Sequence, residues 1–428
     1  MPSSPSSPGF ESLRFLTPAQ ANEVRTRFGS PVYVYDQATL RRQADACLAF
    51  PNAFGLTVRF AMKACPNAAI LQFFDSLGLH FDASSNWEAV RAMRAGIAPH
   101  KISLATQEMP ENLADLHRRG VLFTACSLSQ LDRFGRQFPG QKIALRLNPG
   151  LGSGHSGKTN VGGPGSSFGI WHELLEEAHD LITNHRLHVT KVHTHIGSGT
   201  DPEVWQKVAK MTLKFVKEFP EAETVNLGGG FKVARMAGEK TTDLQKIGAP
   251  VKALFEQMAR ETGRNLRLEI EPGTFLVATA GALVSAVQDI VTTGKKGHDF
   301  LKLDTGMTEI LRPSLYGSQH AIVIVPAAGR AGKNGGKKEY LVVGHCCESG
   351  DLLTPAPGES ETLAPRLLAR AEIGDTCVIE GTGAYCAAMS AKNYNSFPEA
   401  PEILLREDGA LRIIRRRQSL EQIVQNEG

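Results

Sequence analysis

This chain of 428 residues lacks most of the features that assign a protein at a glance. It has no C-x-x-C pair and no H-E-x-x-H, so a structural zinc site has no support and no metal is expected. Its seven cysteines are scattered, which fits a reducing compartment rather than a disulfide framework. No apolar run is long enough to span a bilayer. The best stretch, Phe275 to Val287, is short and contains Thr279 and Ser285. A formal net charge of +3 is small for this length, and Arg415-Arg416-Arg417 is a short solvated run, so no nucleic-acid partner is expected. The N-terminal MPSSPSSPGF has neither the basic start nor the apolar centre of a signal peptide. Residues 1–12 therefore read as a disordered tail, and the default placement is cytoplasmic.

What is present is an ordinary globular composition, 42% apolar and 21% charged, in a chain long enough for two domains. One motif stands out. GSGHSGKT, Gly152 to Thr159, matches the P-loop pattern letter for letter. A P-loop needs a helix immediately after it, so that the helix N-terminus faces phosphate. Asn160 to Ser167 holds four glycines or prolines in eight residues and cannot supply that helix. The chemistry must lie elsewhere.

Short strand-like and helix-like segments alternate through the first two thirds of the chain. Val58 to Met62, His80 to Ala83, Ile102 to Leu104, Leu122 to Ala125, Ile143 to Leu147, Val189 to His195, Thr224 to Leu227 and Leu266 to Ile270 read as strands. About eight β/α units between residues 45 and 284 predict a (β/α)8 barrel, with a doubly wound sheet as the alternative. After residue 284 strands follow one another without helices, as in Ala321 to Val325, Tyr340 to Val343 and Thr376 to Ile379. Residues 13–44 and 285–428 are therefore expected to form a second, mostly antiparallel β domain, with an exposed loop from Gly329 to Lys338.

In a barrel the chemistry sits at the C-terminal ends of the strands. Lys63 ends one of them. It is either a rim lysine reaching for water or an amine that condenses with an aldehyde. His193 and His195 share a strand face, as a metal pair or as a polar rim. Gly197-Ser198-Gly199 and Gly228-Gly229-Gly230 follow strands and are either phosphate nests or tight turns. Glu271 closes a further strand. A carboxylate near a phosphate nest is unfavourable unless it serves a cation, and a protonated pyridine ring is such a cation. Together these residues suggest pyridoxal 5′-phosphate (PLP).

The segments PVYVYD, FAMKACPN, FDASSNWE, LRLNPG, SSFGIW, HTHIGSG, NLGGGF, EIEPG, LDTGM, LRPSLYGSQH, CESGDLL and GAYCAAMSAKNYNS carry a resemblance. The chain resembles the PLP-dependent decarboxylases of the alanine racemase-like fold, in particular the diaminopimelate decarboxylases. Order and spacing agree from about residue 30 to 420. The resemblance implies that Lys63 holds PLP covalently and His195 stacks on its ring. Ser198, Gly228, Gly229 and Gly230 would bind its phosphate and Glu271 its ring nitrogen, with Asp82 and Gly273 among the cofactor contacts. Tyr385 would complete the phosphate site and reach the substrate. Arg312 and Tyr316 would hold the distal carboxylate of an amino-acid substrate. Cys347 and Glu348 would enter the partner subunit's site, Cys347 as proton donor, so the working unit would be a homodimer. By the same resemblance the Gly152–Thr159 loop belongs to the active-site region.

The chain departs from the family at one place that matters. E-P-G-R is the usual segment; here it is Glu271-Pro272-Gly273-Thr274. Threonine donates one hydrogen bond but brings no charge. Smaller departures are His345-Cys346 ahead of CESGD and an extra residue around Lys392, which is a candidate for the lost charge. Three activities are compatible with this reading. One is decarboxylation of meso-diaminopimelate to L-lysine. Another is decarboxylation of a simpler basic amino acid such as ornithine, lysine or arginine, which Thr274 permits. The third is a non-catalytic PLP carrier, against which the retained Lys63, Glu271, Cys347 and Glu348 argue.

Overall fold

The computed structural model describes residues 11–151, 162–195, 202–327 and 336–428. The P-loop-like stretch 152–159, Ser198, residues 1–10 of the tail and most of the Gly329–Lys338 loop lie outside them. Lys337 and Lys338, expected in that loop, open a strand instead.

After β1 (Val32–Asp36) come β2 (Leu56–Ala61), β3 (His80–Ala83), β4 (Ile102–Leu104), β5 (Leu122–Ala125) and β6 (Lys142–Asn148). A short β7 (Ile170–Trp171) precedes β8 (His188–Thr194), β9 (Thr224–Asn226) and β10 (Arg267–Ile270). Every pairing from β2 round to β10 is parallel, and β10 pairs back onto β2. Eight strands therefore close into a barrel, with β7 paired to the last two residues of β6. Helices start promptly after several strands because each has its own cap. The side chains of Asn67, Ser85 and Ser127 accept N–H bonds from Ala69, Glu88 and Gln130. A cap of this kind contributes roughly 1 kcal/mol to a helix.

The remaining strands are β11 (Gly281–Thr292), β12 (Asp299–Leu303), β13 (Ile322–Val325), β14 (Lys337–Val343), β15 (Pro355–Ala356), β16 (Glu359–Leu363), β17 (Arg366–Ala369), β18 (Thr376–Glu380), β19 (Glu402–Leu405) and β20 (Leu411–Arg415). β15 and β16 pair with each other; the rest join β1 in a mixed sheet in the order β17-β14-β12-β11-β1-β19-β20, with β18 pairing both β11 and β13. Only β1–β19 and β12–β14 are parallel. Val24, Val32, Val34, Val284, Val378 and Ile403 fill its core.

The chain divides into two compact units. One is Arg41–Val233 with Lys240–Leu276 and contains the barrel; the other holds the described residues up to Leu40, Ala234–Glu239 and Val277–Gly428. The return to the β unit comes earlier than residue 285 because β11 begins at Gly281 and pairs at once with β1 and β18. Ala234–Glu239, expected within the barrel stretch, belongs with the β unit. There Arg14 Nη2 donates to the carbonyls of Ala234 (3.1 Å) and Arg235 (2.8 Å). Among the described residues no helix is long and apolar enough to cross a membrane.

Candidate active site

The C-terminal ends of the barrel strands gather Lys63, Asp82, His193, His195, Gly228–Gly230, Glu271 and Gly273. β2 ends at Ala61, whose N–H donates to the Pro272 carbonyl (3.1 Å), and a tight turn over Met62–Ala64 then projects Lys63. Met62 and Ala64 are buried and the Lys63 side chain is exposed. The glycines after β9 have a tertiary reason. Gly228 adopts φ +72°, and a Cβ there would come within 2.7 Å of the His195 ring. At Gly229 a Cβ would lie 2.1 Å from the Glu271 carbonyl oxygen. Asn226 fixes the turn, its Oδ1 accepting the Gly228 N–H (2.7 Å), and Gly228 accepts the Glu271 N–H (2.8 Å). Thr274 is half-buried at the start of the short helix Thr274–Val277.

Beneath this rim lies a charged layer that was not read from the sequence. Glu269 accepts from Arg59 (2.7 Å), Lys191 (3.0 Å) and Asn226 (3.2 Å), and Lys191 also reaches Ser103 (3.1 Å). Asn226 Nδ2 bridges upward to Glu271 (2.5 Å). Alternation along the strands was the available signal, since Lys191-His193-His195, Glu269-Glu271 and Arg59-Ala61-Lys63 each continue one face downward. Burial acts to raise the Glu269 carboxyl, but the Lys191 and Arg59 charges outweigh it and hold it well below its ordinary range. Burial lowers Lys191.

The rim itself has unmet capacity. Burial, then the neighbouring Glu271 charge, pushes the Asp82 carboxyl well up, and its Oδ1 has no hydrogen-bond partner. Burial, then the charges of Arg146 and Lys191, keeps His193 neutral. Its Nε2 sits 3.4 Å from Glu271 Oε2, so this contact is not an ion pair. His195 is held neutral by burial, Arg146 and Lys63. Among the described residues no group of three or more His, Cys, Asp or Glu could hold a metal ion.

The β unit carries the other candidates. Tyr385 stands at φ +56°, a left-handed conformation uncommon for a side chain of its size, which costs of order 1–3 kcal/mol and is typically kept at functional sites. Gly383 beside it packs so closely that a Cβ would fall 1.8 Å from the Val277 carbonyl. Arg312 lies over the Tyr316 ring at 5.8 Å. Asp351 of CESGD accepts N–H bonds from Met307 of LDTGM (2.7 Å) and from Cys346 (2.9 Å), and Gly306 and Gly344 leave it room. This interlock explains why the two motifs occur together. Cys347 and Glu348 remain exposed; the Cys347 N–H donates to Asn395 (3.0 Å) and Glu348 accepts the Tyr394 hydroxyl (2.9 Å). Lys392 does not offer a spare charge, because it is paired with Glu399 at 2.8 Å.

Residues 38–278 match the family model described as pyridoxal-dependent decarboxylase, pyridoxal binding domain. The chain is 38% identical to the diaminopimelate decarboxylase of Escherichia coli, over 96% of both chains. A crystal structure of diaminopimelate decarboxylase superposes with a TM-score of 0.89 at 37% identity, over 96% of both chains. The chain belongs to the pyridoxal-dependent decarboxylases. Within that family it falls with the diaminopimelate decarboxylases, and it is a carboxy-lyase that works with PLP. The Helicobacter pylori diaminopimelate decarboxylase complexed with L-lysine is 25% identical, with a TM-score of 0.81, over 95% of this chain and 98% of that one.

The barrel rim fits the cofactor of this family. Lys63 offers an exposed amine at the strand end, with the Asp82 and Glu88 carboxyls near enough to feel its charge. The turn after β9 carries no side chain at Gly228, Gly229 or Gly230, as close approach of an anionic group to the backbone requires. After burial, the Glu271 charge pushes the Asp82 carboxyl up, and a cationic ring nitrogen beside them would offset that. Neutral His195 is suited to lie against an aromatic ring.

Proposed function

We propose that this chain decarboxylates meso-2,6-diaminopimelate to L-lysine and CO2, with PLP as cofactor. The observation that carries the reading is 38% identity with a diaminopimelate decarboxylase along almost the whole of both chains. When bound, PLP supplies the sink for the electron pair released as the Cα–CO2 bond breaks. The residues of the chain do the rest. Lys63 holds the cofactor. Glu271, steadied by Asn226, keeps the ring nitrogen charged, with Asp82 beside it. His195 packs against the ring. Ser198, Gly228, Gly229, Gly230 and Gly273 bind the phosphate end with Tyr385. Arg312 and Tyr316 take the distal carboxylate, Glu348 the distal ammonium, and Cys347 returns a proton to Cα. The deciding experiment compares turnover of diaminopimelate with that of lysine and ornithine by the purified protein. Faster decarboxylation of either diamino monoacid overturns the substrate assignment.

The working unit is a homodimer with shared sites, in the cytoplasm. Supporting the dimer is the exposure of Cys347 and Glu348 on their own unit. All seven cysteines are free, as a reducing compartment favours. Mixing inactive Lys63→Ala with inactive Cys347→Ala subunits then restores activity, because both lesions can fall in one site of a mixed dimer. Random exchange gives about half mixed dimers, so recovery approaches roughly one quarter of the wild-type level. No recovery after demonstrated subunit exchange places both residues in one chain's site.

A further inference from the structure

Arg235 lies in the Ala234–Glu239 excursion that joins the β unit. Its Nε donates to the Gly381 carbonyl at 3.2 Å, and Gly381, at φ +70°, leaves space for the arginine stem. Its Nη2 is closed off from solvent and has no hydrogen-bond partner. An enclosed guanidinium nitrogen without an acceptor is costly. The acid on the same segment favours the Arg235 charge but gives its Nη2 no acceptor. Glu239 Oε2 is taken by the backbone N–H groups of Arg235 (2.7 Å) and Met236 (3.2 Å).

A second guanidinium faces the same deficit. The Nε of Arg312 is also buried and unpartnered, and its Nη2 makes only a long bond to the Ser318 hydroxyl (3.3 Å). After burial itself, Arg312 is the largest influence lowering Arg235, whose pKa is pulled down to about 9. Tyr385 and Cys386 act on it as well, so the two arginines share the surroundings of a candidate substrate residue. Two like charges, each with an open donor, are held together at a standing cost that a bound anion would remove.

We propose that Arg235 is a specificity-determining residue that, with Arg312, binds the distal carboxylate of the substrate. This rests on the reading of the substrate as a diamino dicarboxylate. Two planar forks suit a planar carboxylate. The proposal also answers the departure at Thr274: the chain carries the second cation on the segment after the glycine turn. Arg14 positions it by holding the Ala234 and Arg235 carbonyls.

The test uses holoenzyme and two probes. L-lysine retains the carboxylate that escapes decarboxylation, and cadaverine is the same diamine without it. Calorimetric titration of Arg235→Gln should show L-lysine binding weakened roughly 10- to 100-fold, the effect of losing one charge-assisted hydrogen bond. Cadaverine binding should stay within about threefold, and PLP affinity should match wild type. Arg235→Lys keeps the charge without the fork and should fall between. If Arg235→Gln does not yield soluble protein, Arg235→Lys decides by the same ratio. An unchanged preference for L-lysine over cadaverine overturns the proposal. Loss of PLP affinity at an unchanged ratio also overturns it, by assigning Arg235 to the cofactor phosphate. Failure of the substrate reading is separate, since it appears in the wild-type protein as absence of diaminopimelate turnover.

Discussion

Lys63→Ala yields protein without the visible absorbance of a lysine-bound cofactor and with kcat/KM lower by at least roughly 10²–10⁴-fold, the range that loss of one positioned catalytic side chain commonly costs. Among the described residues the barrel interior offers one other lysine to compare, and its surroundings argue against it. Lys191 is 2% exposed, ion-paired with Glu269 and bonded to Ser103, so an aldehyde cannot reach its amine. Lys63 is exposed at the strand end. Borohydride reduction of the wild-type protein, followed by peptide mass spectrometry, should place the adduct on Lys63. An adduct on any other lysine removes Lys63 from its assigned role.

The second large effect is on stability. Glu269→Gln keeps the shape of the side chain but leaves Arg59 and Lys191 buried without their counter-charge. Removing one partner of a buried ion pair typically costs about 3–5 kcal/mol. The wild-type network resists acid. Glu269 has a depressed pKa in the fold, so its contribution is present above the ordinary carboxyl range and is lost only as pH falls through the depressed value. The variant should respond to base instead. Burial lowers Lys191, and without Glu269 to offset burial it falls further. The unfolded chain then binds more protons than the folded one, so stability rises with pH until the unfolded lysine itself titrates. Urea unfolding at about pH 7 and about pH 9 checks this. A variant as stable as wild type at neutral pH would show that the network does not depend on the Glu269 charge.

The rim candidates could be read because each follows an apolar strand, where a polar residue in a barrel has few other uses. The layer below was harder to see. Arg59, Lys191 and Glu269 sit inside strands, and one charged residue in an apolar run reads as an edge or an error until its partners are known. Those partners come from three strands, with Arg59 and Glu269 separated by 210 residues of chain and Lys191 and Glu269 by 78. Arg235 was hidden for a similar reason, since its segment runs on from the barrel's glycine turn but packs with the β unit.

The sequence alone determined the parallel β/α order, the later β-rich stretch, and which residue types stand at the strand ends. Alternation and turn chemistry act over a few residues and are therefore written locally. Tertiary structure decided the rest. Closure of the barrel by β10 on β2 places Glu269 against Arg59, and the pairing of β11 with β1 and β18 sets where the β unit resumes. Lys392 is committed to Glu399 while Arg235 keeps an open donor. Whether a charge is satisfied depends on what long-range packing brings within about 3 Å of it, and no local pattern encodes that distance.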